Sequence, residues 1–270
     1  MMPKVFLNQS EFPSGAIRFI DTRFSLSNPG LGRTLYEKGH LPGAIFLDLE
    51  KNASDMSSSL GRHPFPSKEG FQHFLESNGL SYEDTIVIYD QGASPFATRA
   101  YFLFRWAGFS NVFVSLDGYE ELTLKWGVDS LPVDYPVTIL SLHWHDNLIA
   151  TKDEIKHRFE KNEAIVLVDA RSAHRFSGKQ EPFDAIAGRI PSACNVDWEQ
   201  FADGNHFRLD QEIGFLQDRD KSEELVVYCG SGVTASVLFC LFTHWGFSHT
   251  RIYVGSYSDW ITSEEVETDN

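Results

Sequence analysis

One cysteine of this chain is placed where a thiol could act as a nucleophile. Cys229 follows a short apolar run and precedes a glycine-containing stretch made of Gly230, Ser231, Gly232, Val233, Thr234 and Ala235. Glycine accepts positive φ without steric cost, so the backbone can curl tightly here. A curled loop that leads into a helix directs main-chain N–H groups to one point, where an anion is favoured. We therefore expect the Cys229 thiol to ionise readily and to react as a thiolate.

The other two cysteines are predicted to be structural. Cys240 falls in an apolar stretch typical of a buried helix, and Cys194 in one typical of a buried strand. An isolated cysteine usually behaves as a small buried apolar residue. Three cysteines make no disulfide framework and suit a reducing compartment, so we expect a cytoplasmic protein.

Cys229 belongs to a pattern that the chain contains twice. Four short segments of the first half recur in the same order in the second half. The paired segments are 19–23 with 167–171, 39–44 with 188–193, 86–90 with 225–229, and 108–110 with 246–248. A repeat this long indicates a duplicated domain rather than a solenoid. The first copy has Asp90 where the second has Cys229.

The repeated segments predict the elements that position Cys229. Their Ile- and Val-rich runs lack alternation, which is typical of buried parallel strands. Apolar stretches at 98–106 and 234–245 predict helices, and Thr151 with Glu154 forms a capping box at the start of another. This alternation of strands and helices indicates an α/β fold in which each domain has a mostly parallel sheet flanked by helices.

The length of 270 residues suggests about two domains. Prolines near residue 135 interrupt any regular element, so we place the boundary there. We predict an N-terminal domain over 1–135, a linker over 136–150 and a C-terminal domain over 151–270.

Charge and hydropathy exclude some classes of partner. A net charge of −15 argues against nucleic acid, which needs a basic surface. No apolar run approaches the ~20 residues that span a bilayer, so no membrane partner is expected. On such an acidic protein, an anionic substrate needs a local cationic site.

The loop 229–235 resembles the active loop of the 3-mercaptopyruvate sulfurtransferases, which are close relatives of the thiosulfate sulfurtransferases, or rhodaneses. Segments 39–44, 61–64, 169–171 and 255–260 are similar to that family as well. The resemblance covers nearly the whole chain. It implies two tandem rhodanese-like domains, of which the N-terminal one is inactive and the C-terminal one catalytic.

The resemblance also implies a chemistry. Cys229 takes a sulfane sulfur from a small anionic donor, 3-mercaptopyruvate or thiosulfate, and becomes a persulfide. Cyanide, a small thiol or a reduced protein thiol then removes the outer sulfur. Neither a metal nor an organic cofactor is required in such a reaction.

Site residues follow from the same resemblance. Arg175 matches an arginine that binds the donor, and its planar fork suits a carboxylate or a thiosulfonate. Ser231 and His40 match residues proposed to protonate the leaving enolate, and the loop from Gly230 to Ala235 surrounds the sulfur. The family's second donor arginine has no match, because residues 181–184 contain none. This leaves both donors open.

Two other functions are known for domains that resemble these. Related phosphatases close their loop with an arginine, but the next arginine after Cys229 is Arg251, so phosphatase activity is not expected. Non-catalytic rhodanese-like modules commonly lack the cysteine that this chain retains, so a purely binding or regulatory role is the second alternative.

Several further residues have a structural interpretation. His143 and His145 could suggest a metal pair, but no third ligand stands out and a linker position is preferred. Arg62 and His63 could reach the cleft, but Pro64 and Pro66 favour their interpretation mainly as part of a structured loop. Ion pairs that hold the fold are expected where an Asp-x-Arg motif recurs in both copies, at Asp21 and Arg23 and at Asp169 and Arg171.

Overall fold

The computed structural model describes residues 4–211 and 213–269. Within these ranges the chain forms two halves of the same α/β design, each built on a five-stranded sheet whose neighbouring strands are all parallel. The predicted fold class is therefore confirmed.

The first half contains the following elements: β1 (Phe6–Leu7), β2 (Ile17–Asp21), α1 (Leu31–Lys38), β3 (Ile45–Phe46), α2 (Lys68–Ser77), β4 (Thr85–Tyr89), α3 (Pro95–Trp106), β5 (Val112–Ser115) and α4 (Tyr119–Trp126). Its sheet has the order β1-β5-β4-β2-β3. β4 is in the middle and is almost entirely buried.

The second half repeats this plan with these elements: β6 (Ile149–Ala150), α5 (Lys152–Glu160), β7 (Val166–Asp169), α6 (Ala173–Phe176), β8 (Cys194–Asn195), β9 (Ala202–Asp203), β10 (His206–Phe207), β11 (Glu224–Tyr228), α7 (Ala235–His244), β12 (His249–Tyr253) and α8 (Ser256–Trp260). Its sheet order, β6-β12-β11-β7-β8, matches that of the first half strand for strand.

Two features of the second half were not predicted. β9 and β10 form a small antiparallel ribbon that has no counterpart in the first half. β6 lies inside the range predicted as a linker, yet it pairs with β12 at the edge of the second sheet. The domain limits at 135 and 150 stay a prediction.

The helices agree with the local sequence pattern. The side chain of Thr151 accepts the main-chain N–H of Glu154 at 3.2 Å and caps α5. Gly108 and Gly246 follow α3 and α7 with φ of 90° and 92°, a conformation that glycine adopts without strain. None of the helices in the described ranges is long and apolar enough to cross a membrane.

The two halves share one core because α3 and α7 pack against each other. The rings of Phe102 and Phe239 meet edge to face with centroids 4.8 Å apart. Beside them, the hydroxyls of Thr98 and Ser236 form a buried hydrogen bond of 2.9 Å. The loop before α7, which contains Cys229, therefore lies at the junction of the halves.

The Asp-x-Arg motifs hold the ends of β2 and β7, as predicted. Arg23 Nη2 donates to Asp21 Oδ2 at 2.6 Å and to the carbonyl of Gly39 at 2.7 Å. Arg171 repeats both bonds in the second half, to Asp169 and to the carbonyl of Gly188, at the same distances. All four of these charged side chains are almost fully buried.

Asp21→Ala should lower the free energy of unfolding by ~3–5 kcal/mol, because it leaves the Arg23 guanidinium buried without its counter-ion. Lys4→Ala is the control, since Lys4 pairs with Glu11 on the exposed surface and should contribute less than about 1 kcal/mol. Urea-induced unfolding measures both. Equal losses in the two variants would contradict a structural role for the strand-end pair.

Candidate active site

Cys229 lies at the bottom of a cleft between the two halves. It follows β11 directly, is only 1% exposed, and lines a cavity of about 1310 Å³. Its Sγ accepts the main-chain N–H of Gly232 at 3.1 Å. Gly232 has a φ of 82°, and a Cβ at this position would lie 2.3 Å from the carbonyl oxygen of Val254. The curl that turns this N–H toward the sulfur therefore requires glycine.

The first turn of α8 fixes the loop from the other side. The N–H of Tyr257 donates to the carbonyl of Cys229 at 2.9 Å, and the N–H of Ser258 donates to that of Gly230 at 3.0 Å. The Oγ of Ser256 accepts the N–H of Cys229 at 3.1 Å and lies 4.0 Å from its Sγ. Sequence reasoning missed Ser256. The only indication was the family-like segment 255–260.

The equivalent loop of the first half has a carboxylate in place of the thiol. Asp90 stands in place of Cys229 and accepts the N–H groups of Gly92 at 2.8 Å and Ala97 at 3.1 Å. Even so, burial raises the pKa of Asp90 to about 7. Main-chain donors alone therefore do not offset the burial of the Asp90 carboxylate at this position.

Arg99 of α3 is the cation placed inside the junction. It is fully buried and donates to the carbonyl of Gly232 in the active loop at 3.1 Å. Its other N–H groups donate to the carbonyls of Ala53, His63 and Pro64. No carboxylate pairs with it in the part of the chain that the structure describes. Burial lowers the pKa of Arg99 to about 9, while the charge of the Cys229 sulfur acts in the opposite direction.

Two more arginines meet over Gly230. A methyl group at this position would lie 2.7 Å from Nη2 of Arg62 and 2.9 Å from Nη2 of Arg175. Arg175 is brought here by α6, as the family resemblance implied for a donor-binding residue. Arg62 comes from the first half, and its main-chain N–H donates to the hydroxyl of Ser258 in the second half at 3.1 Å. Sequence reasoning placed Arg62 mainly in a structured loop.

Two carboxylates accompany these arginines. Arg175 Nη2 lies 2.8 Å from Glu181 Oε1 and 3.2 Å from Asp184 Oδ2. Asp184 also forms an ion pair with Arg62 across the junction. Burial raises the pKa of Asp184, although the charges of Arg62 and Arg175 act in the opposite direction.

His63 lines the cleft, whereas the predicted site residue His40 lies elsewhere in the first half. His40 does not line the cleft. Its ring stacks on that of Tyr36 at 4.0 Å, and its main chain forms a bridge with Asp129. Arg189 occupies the same place in the second half, bridged to Glu267, so this position serves the fold in both copies.

His63 lines the cleft together with Cys229 and both arginines. Its Nδ1 has no hydrogen-bond partner in the described ranges. Burial, with the charges of Arg99 and Arg62, lowers the pKa of His63 to about 4. The imidazole is therefore neutral near neutral pH and carries a single ring proton.

The other residues of the loop 229–235 line the cleft or begin α7. The cleft is lined by Gly230, Ser231, Val233 and Thr234, whereas Ala235 is buried as the first residue of α7. Cys240 is buried in α7 as expected, and burial raises its pKa far above the ordinary range. Cys194 is partly exposed rather than buried, because β8 lies at the sheet edge.

Neither His143 nor His145 belongs to a cluster of possible metal ligands. In the described part of the chain, one such group of three is found, formed by Asp117, Glu121 and His206 on the surface. Glu121 and His206 already bind each other there at 3.0 Å, and Asp117 accepts the N–H of Gln9.

Comparison with known proteins agrees with this geometry. The rhodanese-like domain matches the chain twice, at residues 6–125 and 151–263. The chain is 34% identical over 257 residues to a probable 3-mercaptopyruvate sulfurtransferase of Pseudomonas aeruginosa, covering 90% of this chain and 88% of that protein.

Solved structures agree as well. The 3-mercaptopyruvate sulfurtransferase from Leishmania major superposes with a TM-score of 0.83 at 28% identity, over 96% of this chain and 75% of that one. The crystal structure of a probable thiosulfate sulfurtransferase gives a TM-score of 0.66 at 25% identity, over 94% and 98% of the two chains. With its two parallel sheets and the cysteine loop at their junction, this chain belongs to the tandem-rhodanese sulfurtransferase family.

Proposed function

We propose that this sulfurtransferase moves a sulfane sulfur through a persulfide on Cys229, and that only the C-terminal half carries the reaction. One observation supports this most directly. The Sγ of Cys229 accepts a loop N–H at 3.1 Å at the bottom of a cleft where Arg62 and Arg175 converge on the next residue. A nucleophile and a site for an anionic donor are thus adjacent.

The first half-reaction transfers the sulfur to the enzyme. The Cys229 thiolate attacks the outer sulfur of the donor, so that a new S–S bond forms and the donor's bond to that sulfur breaks. The electron pair leaves with sulfite when the donor is thiosulfate. It leaves with the enolate of pyruvate when the donor is 3-mercaptopyruvate, and the enolate then takes up a proton.

The second half-reaction restores the thiolate. A nucleophilic acceptor (cyanide, a small thiol or a reduced protein thiol) attacks the outer sulfur of the persulfide. The S–S bond breaks and its electron pair returns to Cys229. The cleft volume of about 1310 Å³ exceeds that of a usual small-molecule pocket and leaves room for acceptors larger than cyanide.

Four polar side chains in and next to the cleft have a role in this scheme. Arg175 binds the anionic end of the donor, and Arg99 acts from below the loop as the buried counter-charge of the sulfur anion. His63 takes the place of His40 as the histidine near the enolate: its neutral ring and the hydroxyl of Ser231 donate hydrogen bonds to the developing enolate oxygen, and the proton itself comes from water. Because the second family arginine is missing from 181–184, both donors remain possible.

Three free cysteines suit a reducing compartment, and we propose the cytoplasm.

Incubation with either donor, without an acceptor, should add about 32 Da to the peptide that contains Cys229, because the persulfide retains one sulfur. Mass spectrometry of the alkylated digest measures it. The Cys229→Ser protein should gain no sulfur and transfer none to cyanide, while the Cys240→Ser protein serves as the control and keeps both properties. Transfer by the Cys229→Ser protein at the normal rate would contradict the assignment.

The two loop glycines should respond differently to alanine. In Gly230→Ala the new methyl meets only the ends of flexible arginine side chains, so the protein should fold but bind the donor several-fold more weakly, seen as a higher KM. In Gly232→Ala the methyl meets a backbone carbonyl at positive φ, so kcat and the melting temperature should both fall.

Steady-state rates and thermal unfolding distinguish these outcomes. If Gly230→Ala left the KM of both donors unchanged, the guanidinium groups above the loop would not be the donor site.

A further inference from the structure

A carboxylate is already paired with the two arginines that an anionic donor needs. Asp184 forms ion pairs with Arg62 of the first half and with Arg175 of the second. Its side chain is only 4% exposed, so it is buried behind the two arginines that line the cleft. These are the two guanidinium groups that converge over Gly230, next to Cys229.

The charges at this point cancel. Two guanidinium groups, of Arg62 and Arg175, are balanced by the carboxylates of Glu181 and Asp184. The buried Arg171 is paired with Asp169 and adds no free charge. Both arginines over Gly230 are thus already paired with carboxylates before an anion arrives, on a chain whose net charge is −15.

The two carboxylates differ in how firmly they are held. Glu181 also binds Arg171 at 3.1 Å and accepts the main-chain N–H groups of Phe183 and Asp184. The side chain of Asp184 binds only the two cleft arginines in the described part of the chain. It lies on an irregular segment between α6 and β8, where a side chain can turn away without breaking regular structure.

We propose that Asp184 is a resident anion of the donor site, that the donor displaces it, and that Arg62 is the second cation which the donor then binds. This inference rests on the sulfurtransferase mechanism proposed above. In it the missing second arginine of segment 181–184 is supplied by the opposite half of the molecule, and the loop carboxylate holds that arginine in place until the donor arrives.

The displacement makes Asp184 a specificity-determining residue. Thiosulfate carries two negative charges and 3-mercaptopyruvate one, so repulsion by Asp184 costs thiosulfate more. The resident carboxylate therefore biases the site toward the monoanionic carboxylate donor.

Asp184→Asn tests this directly, because the amide keeps the size of the side chain and removes its charge. The KM for thiosulfate should fall about tenfold, as expected when a charged competitor of the donor is lost from a partly buried site. The KM for 3-mercaptopyruvate should fall less, and kcat should stay within about twofold for both donors.

Two further variants separate displacement from general effects. Glu199→Gln removes one negative charge from the cleft wall at a residue that pairs with no arginine in the described ranges, and it should leave both KM values nearly unchanged. Arg62→Met should raise the KM for thiosulfate, and combining it with Asp184→Asn should remove the tenfold gain. Thermal unfolding of every variant checks that the junction remains folded.

An unchanged or higher KM for thiosulfate in folded Asp184→Asn protein would overturn the inference, because Asp184 would then be only a latch between the halves. An equal fall of KM in Glu199→Gln would overturn it too, by showing a general charge effect. Failure of the mechanism itself is seen separately, since the wild-type protein would then gain no 32-Da sulfur from either donor.

Discussion

The proposed reaction depends on holding an ionised sulfur in a place almost closed to water. At the equivalent point of the first half, two main-chain N–H groups do not keep Asp90 at its ordinary acidity, because burial raises its pKa to about 7. The Cys229 loop has a similar main-chain contact, through Gly232, and in addition a buried guanidinium below it on Arg99. The site therefore combines loop geometry with a cation that only the neighbouring half can supply.

This division explains why the chain retains a half without a nucleophile. The first half contributes Arg99 beneath the loop, His63 on the cleft wall and Arg62 above Gly230. The packing of α3 on α7 fixes the distances between these groups and the sulfur. Duplication thus produced a cleft with a thiol on one wall and much of its electrostatic environment on the other.

Much of this was predictable from the sequence, and the failures have a common cause. Runs of Ile and Val, helix caps and the glycine loop are local patterns, and they predicted the parallel sheets and the place of Cys229. His40 does not line the cavity around Cys229, and the segment that contains it forms an equivalent bridge in both copies, so its role in the reaction stays a prediction. Arg99 was missed and Arg62 was placed mainly in a structured loop, because their proposed roles depend on contacts that exist only where the halves meet. No local sequence pattern distinguishes an arginine of an apolar helix that contacts an active loop from one that only packs in the core.

The most direct test of the buried sulfur anion is the rate of alkylation by iodoacetamide as a function of pH, with each cysteine followed by mass spectrometry. Cys229 should react near neutral pH faster than the more exposed Cys194, while Cys240 stays unlabelled. In Arg99→Met this advantage should move to higher pH, with Cys194 unchanged and Cys240 still protected as evidence of folding. The account would be contradicted if Cys229 reacted no faster than Cys194, or if loss of the Arg99 charge left its profile in place.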